Sequence, residues 1–209
     1  MNIAVAIDDV AEGEMLSASE AGPAPKRIVV AFGFWIFLLS DIVMFSALFA
    51  AYAVLMRATA GGPSGAELFN QGSAAIETAC LLVSSYACGL GALSAEGQQR
   101  ERYLVFAALT FVLGAAFLFI EISDFVDMAR MGAGPTRSAF LSAFFLLVGM
   151  HGTHVTIGLL WLAYMVAQVV FKGLRPHVLR RLLCFSLFWH ALDMIWVGVL
   201  TLVYMMGAR

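Results

Sequence analysis

The sequence predicts an all-α, polytopic membrane protein folded as a bundle of five transmembrane helices. Hydrophobic residues make up 62% of the 209 residues and charged residues 12%, about half the charged share of a soluble globular protein. The apolar residues form five stretches, each long enough to cross a hydrocarbon core about 30 Å thick. Because lipid satisfies no backbone hydrogen bond, such stretches must be helical. The net charge of -2 and the lack of a basic run give no indication of nucleic-acid binding.

A polar segment precedes the first span, and we expect it to be a disordered cytoplasmic tail. Residues 1–25 hold five acidic residues among Ala, Gly, Ser and Pro and show no sustained apolar period, so they cannot bury enough surface to fold. Residues 26–209 are then the membrane domain. Its spans are predicted, in order, at residues 28–56, 74–93, 103–122, 139–171 and 183–206.

The connections between the spans differ on the two sides of the membrane. The outer loop at residues 58–73 is rich in Gly and Pro, and residues 132–135 interrupt the next outer loop, whereas the inner connections are short and polar. The fourth span is longer than the hydrocarbon core is thick, so we expect it to tilt or to project into water.

Basic residues indicate the orientation, because Lys and Arg are retained on the cytoplasmic side of a membrane. With the amino terminus inside, the outer side holds four of them, Arg57, Arg130, Arg137 and Arg209. The inner side holds the other eight, namely Lys26, Arg27, Arg100, Arg102, Lys172, Arg175, Arg180 and Arg181. The sequence therefore predicts a cytoplasmic amino terminus and a periplasmic carboxyl terminus.

Metal and haem ligands are few in this sequence. Cys80, Cys88 and Cys184 lie in or beside apolar segments and form no C-x-x-C pair, so we interpret them as packing residues. The four histidines are fewer than two six-coordinate haems, or a haem beside a histidine-ligated copper, would require. We therefore expect neither a pair of haems nor a haem beside a histidine-ligated copper in this chain.

Three carboxylates fall within the predicted spans. Asp41 lies about 13 residues, or roughly 20 Å, from the cytoplasmic end of the first span, and an ionised group there costs at least ~2.5 kcal/mol. Two interpretations of Asp41 are open. It is a proton carrier or a buried carboxylate at an interface, or it is a neutral acid that is hydrogen-bonded to a neighbouring helix. Glu77, one turn into the second span, and Glu121, at the outer end of the third, are nearer the interface. We expect these two side chains to reach solvated partners.

Two pairs of polar residues lie three positions apart within single helices. His151 and His154 share a face of the fourth span, a spacing that metal and haem sites use, but the facing ligands of such a site are lacking. We prefer the alternative that both rings hydrogen-bond across helices. In the last span, His190 and Asp193 are predicted to pair locally, as a structural clasp or as a proton-linked group.

Small residues recur at four-residue spacing within the spans. In lipid, helices associate through close backbone approach and interhelical hydrogen bonds, so such stripes indicate interfaces within or between chains. The pairs are Ser46 and Ala50, Ser85 and Gly89, and Gly149 and Thr153.

Several longer motifs in register resemble one family of membrane proteins. They read GFWI at 33–36, LSD at 39–41, FS at 45–46, SAFF at 142–145, GMHGTHV at 149–155, SLFWHALD at 186–193 and VYMMG at 203–207. On these motifs the chain resembles subunit III of haem-copper oxidases, and within that family the branch found in cytochrome bo-type ubiquinol oxidases. The resemblance extends over all five spans.

The resemblance implies an accessory subunit without cofactors, which performs no chemistry alone. It would pack against the large catalytic subunit I, which holds the haems and copper, beside subunits II and IV and phospholipids in a bacterial inner membrane. Such a complex belongs to the respiratory chain: it oxidises ubiquinol, transfers the electrons to dioxygen to form water, and translocates protons. Subunit III stabilises the catalytic subunit and supports proton uptake.

The resemblance also gives family counterparts to the intramembrane polar residues. Asp41 matches a buried carboxylate that is usually Glu in the cytochrome c oxidase branch. The proton-related behaviour of that Glu is therefore not carried over to Asp41. The other matches imply structural roles and are found at Glu121, His151, His154, His190 and Asp193.

Helix number separates this chain from the cytochrome c oxidase branch, in which subunit III usually has seven spans. The first two of those seven form a lipid-holding cleft, and this chain begins where the third would. Its lipid contacts must therefore differ. From their chemistry alone we predict contacts at Trp35 and Arg137.

Two other functions compete with the accessory-subunit hypothesis. An independent b-type cytochrome would use His151, His154 and His190 as haem ligands. A proton-coupled transporter would use Asp41 and Glu77, although the sequence shows no inverted repeat of the kind that transporters have.

Overall fold

The computed structural model describes residues 26–69 and 71–207. Within these ranges the regular secondary structure is helical, and five helices are long and apolar enough to cross a membrane. The predicted all-α bundle of five spans is therefore confirmed. The predicted tail at residues 1–25 lies outside the described residues.

The described residues form six α-helices and one π-helical segment. The short helix α2 lies in the loop between α1 and α3, and the π-helical segment continues α6. The five spans are therefore α1, α3, α4, α5 and α6 with its extension. The bounds are α1 Lys26–Leu55, α2 Gly65–Leu68, α3 Gln71–Glu96, α4 Arg100–Arg130, α5 Ala139–Lys172, α6 Pro176–Val199 and the π-helical segment Leu200–Met206.

The long helices end where the sequence provides a cap or a change of backbone conformation. The Ser138 hydroxyl accepts a hydrogen bond from the backbone N–H of Leu141 and so caps the start of α5. Gly173, with a positive φ of 70°, ends α5, because such a conformation costs glycine little. Pro176 then occupies the first turn of α6, where its missing N–H is not needed.

The helices are buried to different extents. α6 packs against α1, α3 and α5, and α5 also packs against α1 and α4, so these two helices form the centre of the bundle. α1 lies at the edge and buries a single stripe, Leu38, Phe45 and Tyr52, while most of its apolar side chains remain exposed. The bundle therefore leaves one long apolar helix face without a partner among residues 26–69 and 71–207.

Candidate functional site

Asp41 of α1 and His154 of α5 approach each other across the helix interface. The His154 Nδ1 lies 2.8 Å from the Met150 carbonyl oxygen, and because a carbonyl can only accept, Nδ1 carries the proton. The His154 Nε2 lies 4.0 Å from Asp41 Oδ2, longer than a hydrogen bond. Both side chains are about one-sixth exposed, at 16% and 17%. The part of the chain that the structure describes therefore covers the pair incompletely.

Glu77 and Glu121 are buried, and the expectation that they reach solvated partners is wrong. Their exposed fractions are 1% and 3%. The reason lies in helix packing and length: α4 continues past Glu121 to Arg130, so Glu121 does not close the helix. The Glu121 carboxylate instead lies against Gly152 of α5, where a Cβ atom would come within 2.8 Å of Oε1.

His151 is fully buried, at 0% exposed, in an aromatic environment. Its ring centroid lies 5.2 Å from that of Trp196 and 5.7 Å from that of Phe117, which it meets edge-on. Neither ring nitrogen has a hydrogen-bond partner among the described residues. The prediction that both His151 and His154 hydrogen-bond across helices is thus wrong, because His151 forms no such bond and His154 bonds within its own helix.

Glu77 of α3 forms a polar cluster with Glu121 and Asp124 of α4 within the apolar bundle. Glu77 lies within electrostatic range of Glu121 and of Asp124. The four carboxylate oxygens of Glu77 and Glu121 have no hydrogen-bond partner within residues 26–69 and 71–207. Since burying an unpaired polar group is costly, the cluster is suited to binding protons or ordered water.

Three interhelical hydrogen bonds were not predicted from the sequence, and two of them lie near this cluster. The Trp196 indole N–H donates to Thr78 Oγ1 at 3.0 Å, and the Ser73 hydroxyl lies 2.7 Å from Asp124 Oδ2. Deeper in the bundle, the Trp189 indole N–H donates to Ser84 Oγ at 3.0 Å. A buried tryptophan needs an acceptor for its N–H. The Ser and Thr residues of the neighbouring spans could therefore have been predicted as partners of the tryptophans.

His190 and Asp193 have different surroundings. The His190 Nδ1 lies 2.7 Å from the Ser186 carbonyl oxygen of the same helix. Asp193 lies within electrostatic range of His190, and its buried Oδ1 has no hydrogen-bond partner among the described residues. Local pairing of His190 with Asp193 stays a prediction.

The two residues suggested as lipid contacts lie far apart along the chain. Trp35 is 46% exposed on the outer face of α1, and Arg137 is an exposed residue of the loop before α5, close to Gly62. They do not form one site. Lipid contact at either residue stays a prediction.

No group of three or more His, Cys, Asp or Glu residues in the described part of the chain has the geometry to hold a metal ion. Cys88 and Cys184 are buried and Cys80 is half-buried, and all three are free thiols.

Comparison with known proteins gives consistent results. The family model described as cytochrome c oxidase subunit III matches residues 8–208. The cytochrome bo(3) ubiquinol oxidase subunit 3 of Pseudomonas aeruginosa is 50% identical over 177 residues, covering 85% of each chain. The protein of the same name from Pseudomonas putida is 46% identical over 175 residues, covering 84% of each chain. The quinol oxidase subunit 3 of Bacillus subtilis is 42% identical over 175 residues, which cover 84% of this chain and 86% of that protein.

Proposed function

The chain belongs to the cytochrome c oxidase subunit III family, and we propose that it is an accessory subunit of a quinol oxidase complex. The observation that carries the proposal is the identity of 42–50% to proteins named quinol oxidase subunit 3, over most of each chain. The five apolar spans make the chain a multi-pass membrane protein. The complex would transfer electrons from ubiquinol to dioxygen while translocating protons.

The partners in this proposal are the other subunits of the oxidase. Subunit I would hold the haems and copper, subunits II and IV would complete the complex, and this chain would stabilise subunit I, bind phospholipid and support proton uptake. One feature supports this arrangement. α1 presents a long apolar face that the other described residues do not cover.

We also propose a bacterial inner membrane as the location, with the amino terminus in the cytoplasm. The distribution of basic residues supports this orientation, because eight of the twelve then lie on the cytoplasmic side. In this orientation Arg100, whose guanidinium donates to the Val170 carbonyl oxygen at 2.9 Å, joins the inner ends of α4 and α5.

The polar residues are assigned two roles in the proposal. Asp41 and His154, which are incompletely covered, would lie at or near an interface with another subunit and are the candidates for a proton-related role. Glu77, Glu121 and His151 would form the polar interior of the bundle, and Asp193 would pair locally with His190. Burial at 0–3% exposed supports an interior role for these first three residues.

Affinity purification from mild detergent tests the proposal. A tagged chain should retain the large oxidase subunit, and the retained complex should show haem absorbance. The chain isolated from that complex should show no Soret band. A stoichiometric haem in the isolated chain would support the b-type cytochrome instead, and proton flux in vesicles containing only this chain would support the transporter.

A further inference from the structure

Glu77 of α3 and Glu121 of α4 are the two most deeply buried carboxyl groups among the described residues, at 1% and 3% exposed. At helical rise, Glu77 lies about 9 Å from the start of α3 and Glu121 about 14 Å from the end of α4. Both groups therefore lie within their spans, where an ionised carboxylate is costly.

The packing of α3 against α4 brings these two groups to the same interface. The helices are antiparallel neighbours, and the Ser73 hydroxyl of α3 donates a hydrogen bond to Asp124 Oδ2 of α4 at 2.7 Å. Glu77 lies four residues after Ser73, and Glu121 lies three residues before Asp124. Since residues three or four apart share a helix face, both glutamates lie one turn deeper on the contacting faces. Their electrostatic interaction agrees with this register.

No cationic group balances the two glutamates in the described part of the chain. Their four carboxylate oxygens lack hydrogen-bond partners there, and neither group forms an ion pair with a described Lys or Arg side chain. The titratable groups within electrostatic range are acidic or phenolic, namely Asp124 of α4 and Tyr204 of the π-helical segment. Tyr52 of α1, which interacts with Tyr204, is phenolic as well.

Helix α5 contributes space to this site and no charge. A Cβ atom at Gly152 would come within 2.8 Å of Oε1 and 2.9 Å of Oε2 of Glu121, so the carboxyl group occupies the volume that a side chain would fill. The ring of the adjacent His151 packs instead against Trp196 and Phe117. The helix interface therefore accommodates the Glu121 carboxyl group without an ionic partner.

A proton is the ligand that this arrangement accommodates. Two ionised carboxylates side by side in lipid would repel each other and would each lack solvation. A protonated carboxyl group is neutral and gains an O–H donor, for which the oxygens of the other glutamate are acceptors. Binding of a proton therefore offsets both the repulsion and part of the burial cost.

Asp124 provides a route between the buried pair and water. It is half-buried and lies one turn nearer the end of α4 than Glu121 does. It interacts electrostatically with Glu77 and accepts the hydrogen bond from Ser73, two residues from the exposed start of α3. A carboxyl group in this position can transfer a proton in either direction.

We propose that Glu77 and Glu121 form a proton-binding site, which holds at least one proton at neutral pH and exchanges it through Asp124 with water at the end of the bundle where α3 begins. The inference goes beyond the proposed function, which gives this pair a place in the polar interior and no ligand. It adds both the ligand and the side of the bundle from which the ligand enters.

Infrared spectroscopy of the full chain, purified with its partners, tests the site. A protonated carboxylic acid has a C=O stretching band that ionised carboxylates lack. Glu77→Gln and Glu121→Gln keep the shape of the side chain, and we expect the double variant to lose a band equivalent to at least one carboxylic acid at neutral pH. Glu101→Gln, at an exposed carboxylate of α4, is the matched control and should lose no such band.

A pair of glycine variants keeps both carboxyl groups in place of removing them. Gly152→Ala forces the Glu121 carboxyl group to move, so the carboxylic acid band should shift in frequency. Gly149→Ala, on the same helix, meets only Phe125 at an ordinary contact distance of 3.7 Å, so the band should stay unchanged. This pair decides the question if the double glutamine variant fails to assemble.

Deuterium exchange tests the route. In heavy water the band should move to lower frequency as the bound proton is replaced. We expect Asp124→Asn to slow this exchange by at least about tenfold, since a positioned carboxyl group speeds proton transfer by more than that. Asp127→Asn, at a side chain 65% exposed, is the control and should leave the exchange rate unchanged.

Three results would overturn the proton-binding site. They are an equal carboxylic acid band in the unmodified protein and the double variant, an unshifted band in Gly152→Ala, and an unchanged exchange rate in Asp124→Asn. None of them concerns copurification with an oxidase subunit, so the proposed function would stand. Failure of the unmodified chain to copurify with such a subunit would overturn the proposed function and leave the proton-binding site intact.

Discussion

Trp189 joins four of the five spans through a single side chain. Its indole N–H donates to Ser84 of α3, and its ring lies against Gly114 of α4 and Gly158 of α5. A Cβ atom at Gly114 or Gly158 would come within 2.9 or 2.8 Å of the ring, so the space permits only glycine. Close backbone approach of this kind stabilises helix packing in lipid.

Substitution at Gly158 should therefore destabilise the bundle. We expect Gly158→Ala to lower the free energy of unfolding in detergent by about 1–3 kcal/mol, the cost of overpacking a well-packed interior. Gly33→Ala is the control and should change it by less than about 0.5 kcal/mol, because nothing lies within 4 Å of the added Cβ atom. Equal unfolding free energies for the two variants would contradict the packing described for Trp189.

Asp41 is the residue whose role depends most on the partner. In the assembled oxidase, Asp41→Asn should leave the haem spectra unchanged but shorten the turnover lifetime or lower retention of this chain by a few-fold, because it alters an intramembrane carboxylate that this chain covers incompletely. The control is Asp127→Asn, at a carboxylate whose side chain is 65% exposed. Loss of haem absorbance in a normally assembled Asp41→Asn complex would contradict the account.

At the residue scale, the sequence identified which polar groups are intramembrane but not their partners. The depth of a side chain in the membrane follows from counting residues from the end of its helix, and this count placed Asp41 within the span. The burial of Glu121 depends on how far α4 extends beyond it and on the absence of a side chain at Gly152. Those two facts belong to different helices and could not be read from the neighbourhood of Glu121.

Among the elements, α1 is the helix most weakly held by this chain. It contacts α5 and α6 through Leu38, Phe45 and Tyr52, which repeat every seventh residue and so lie on one stripe. The Phe45 ring also lies edge-on to His154, with centroids 5.3 Å apart. Most of the remaining apolar surface of α1 is left for lipid or for another subunit.

Shortening a side chain of this stripe should destabilise the packing of α1 more than that of the other helices. Phe45 is 1% exposed, and we expect Phe45→Ala to lower the unfolding free energy by about 3 kcal/mol through cavity formation. Protease cleavage at the α1–α3 loop should become faster. Val43→Ala, at a side chain 69% exposed, is the matched control. Indistinguishable unfolding of the two variants would mean that the stripe does not hold α1.

At the element scale, hydropathy located the spans better than the ends of the helices. α6 begins at Pro176, several residues before the apolar stretch predicted from residue 183. The missed signal was Pro176 itself, since proline is favoured in the first turn of a helix. The π-helical segment Leu200–Met206 has no comparable sequence signature, because the same apolar residues fit an α-helix equally well.

For the whole molecule, the bilayer makes the fold predictable and leaves the interfaces unspecified. Backbone groups in lipid must be satisfied within helices, so five apolar stretches sufficed to predict the five-span bundle. A surface that faces lipid and a surface that faces another subunit are both apolar, so the sequence does not distinguish them. Contacts such as the hydrogen bond from Trp189 to Ser84, which are 105 residues apart in the sequence, become evident only in the folded bundle.

The most direct measurement is the haem and copper content of the oxidase purified with and without this chain, together with its lifetime during turnover. We predict equal haem and copper per catalytic subunit in the two preparations and a shorter lifetime when the chain is missing. A loss of haem or copper proportional to the loss of this chain would contradict the account of a cofactor-free accessory subunit.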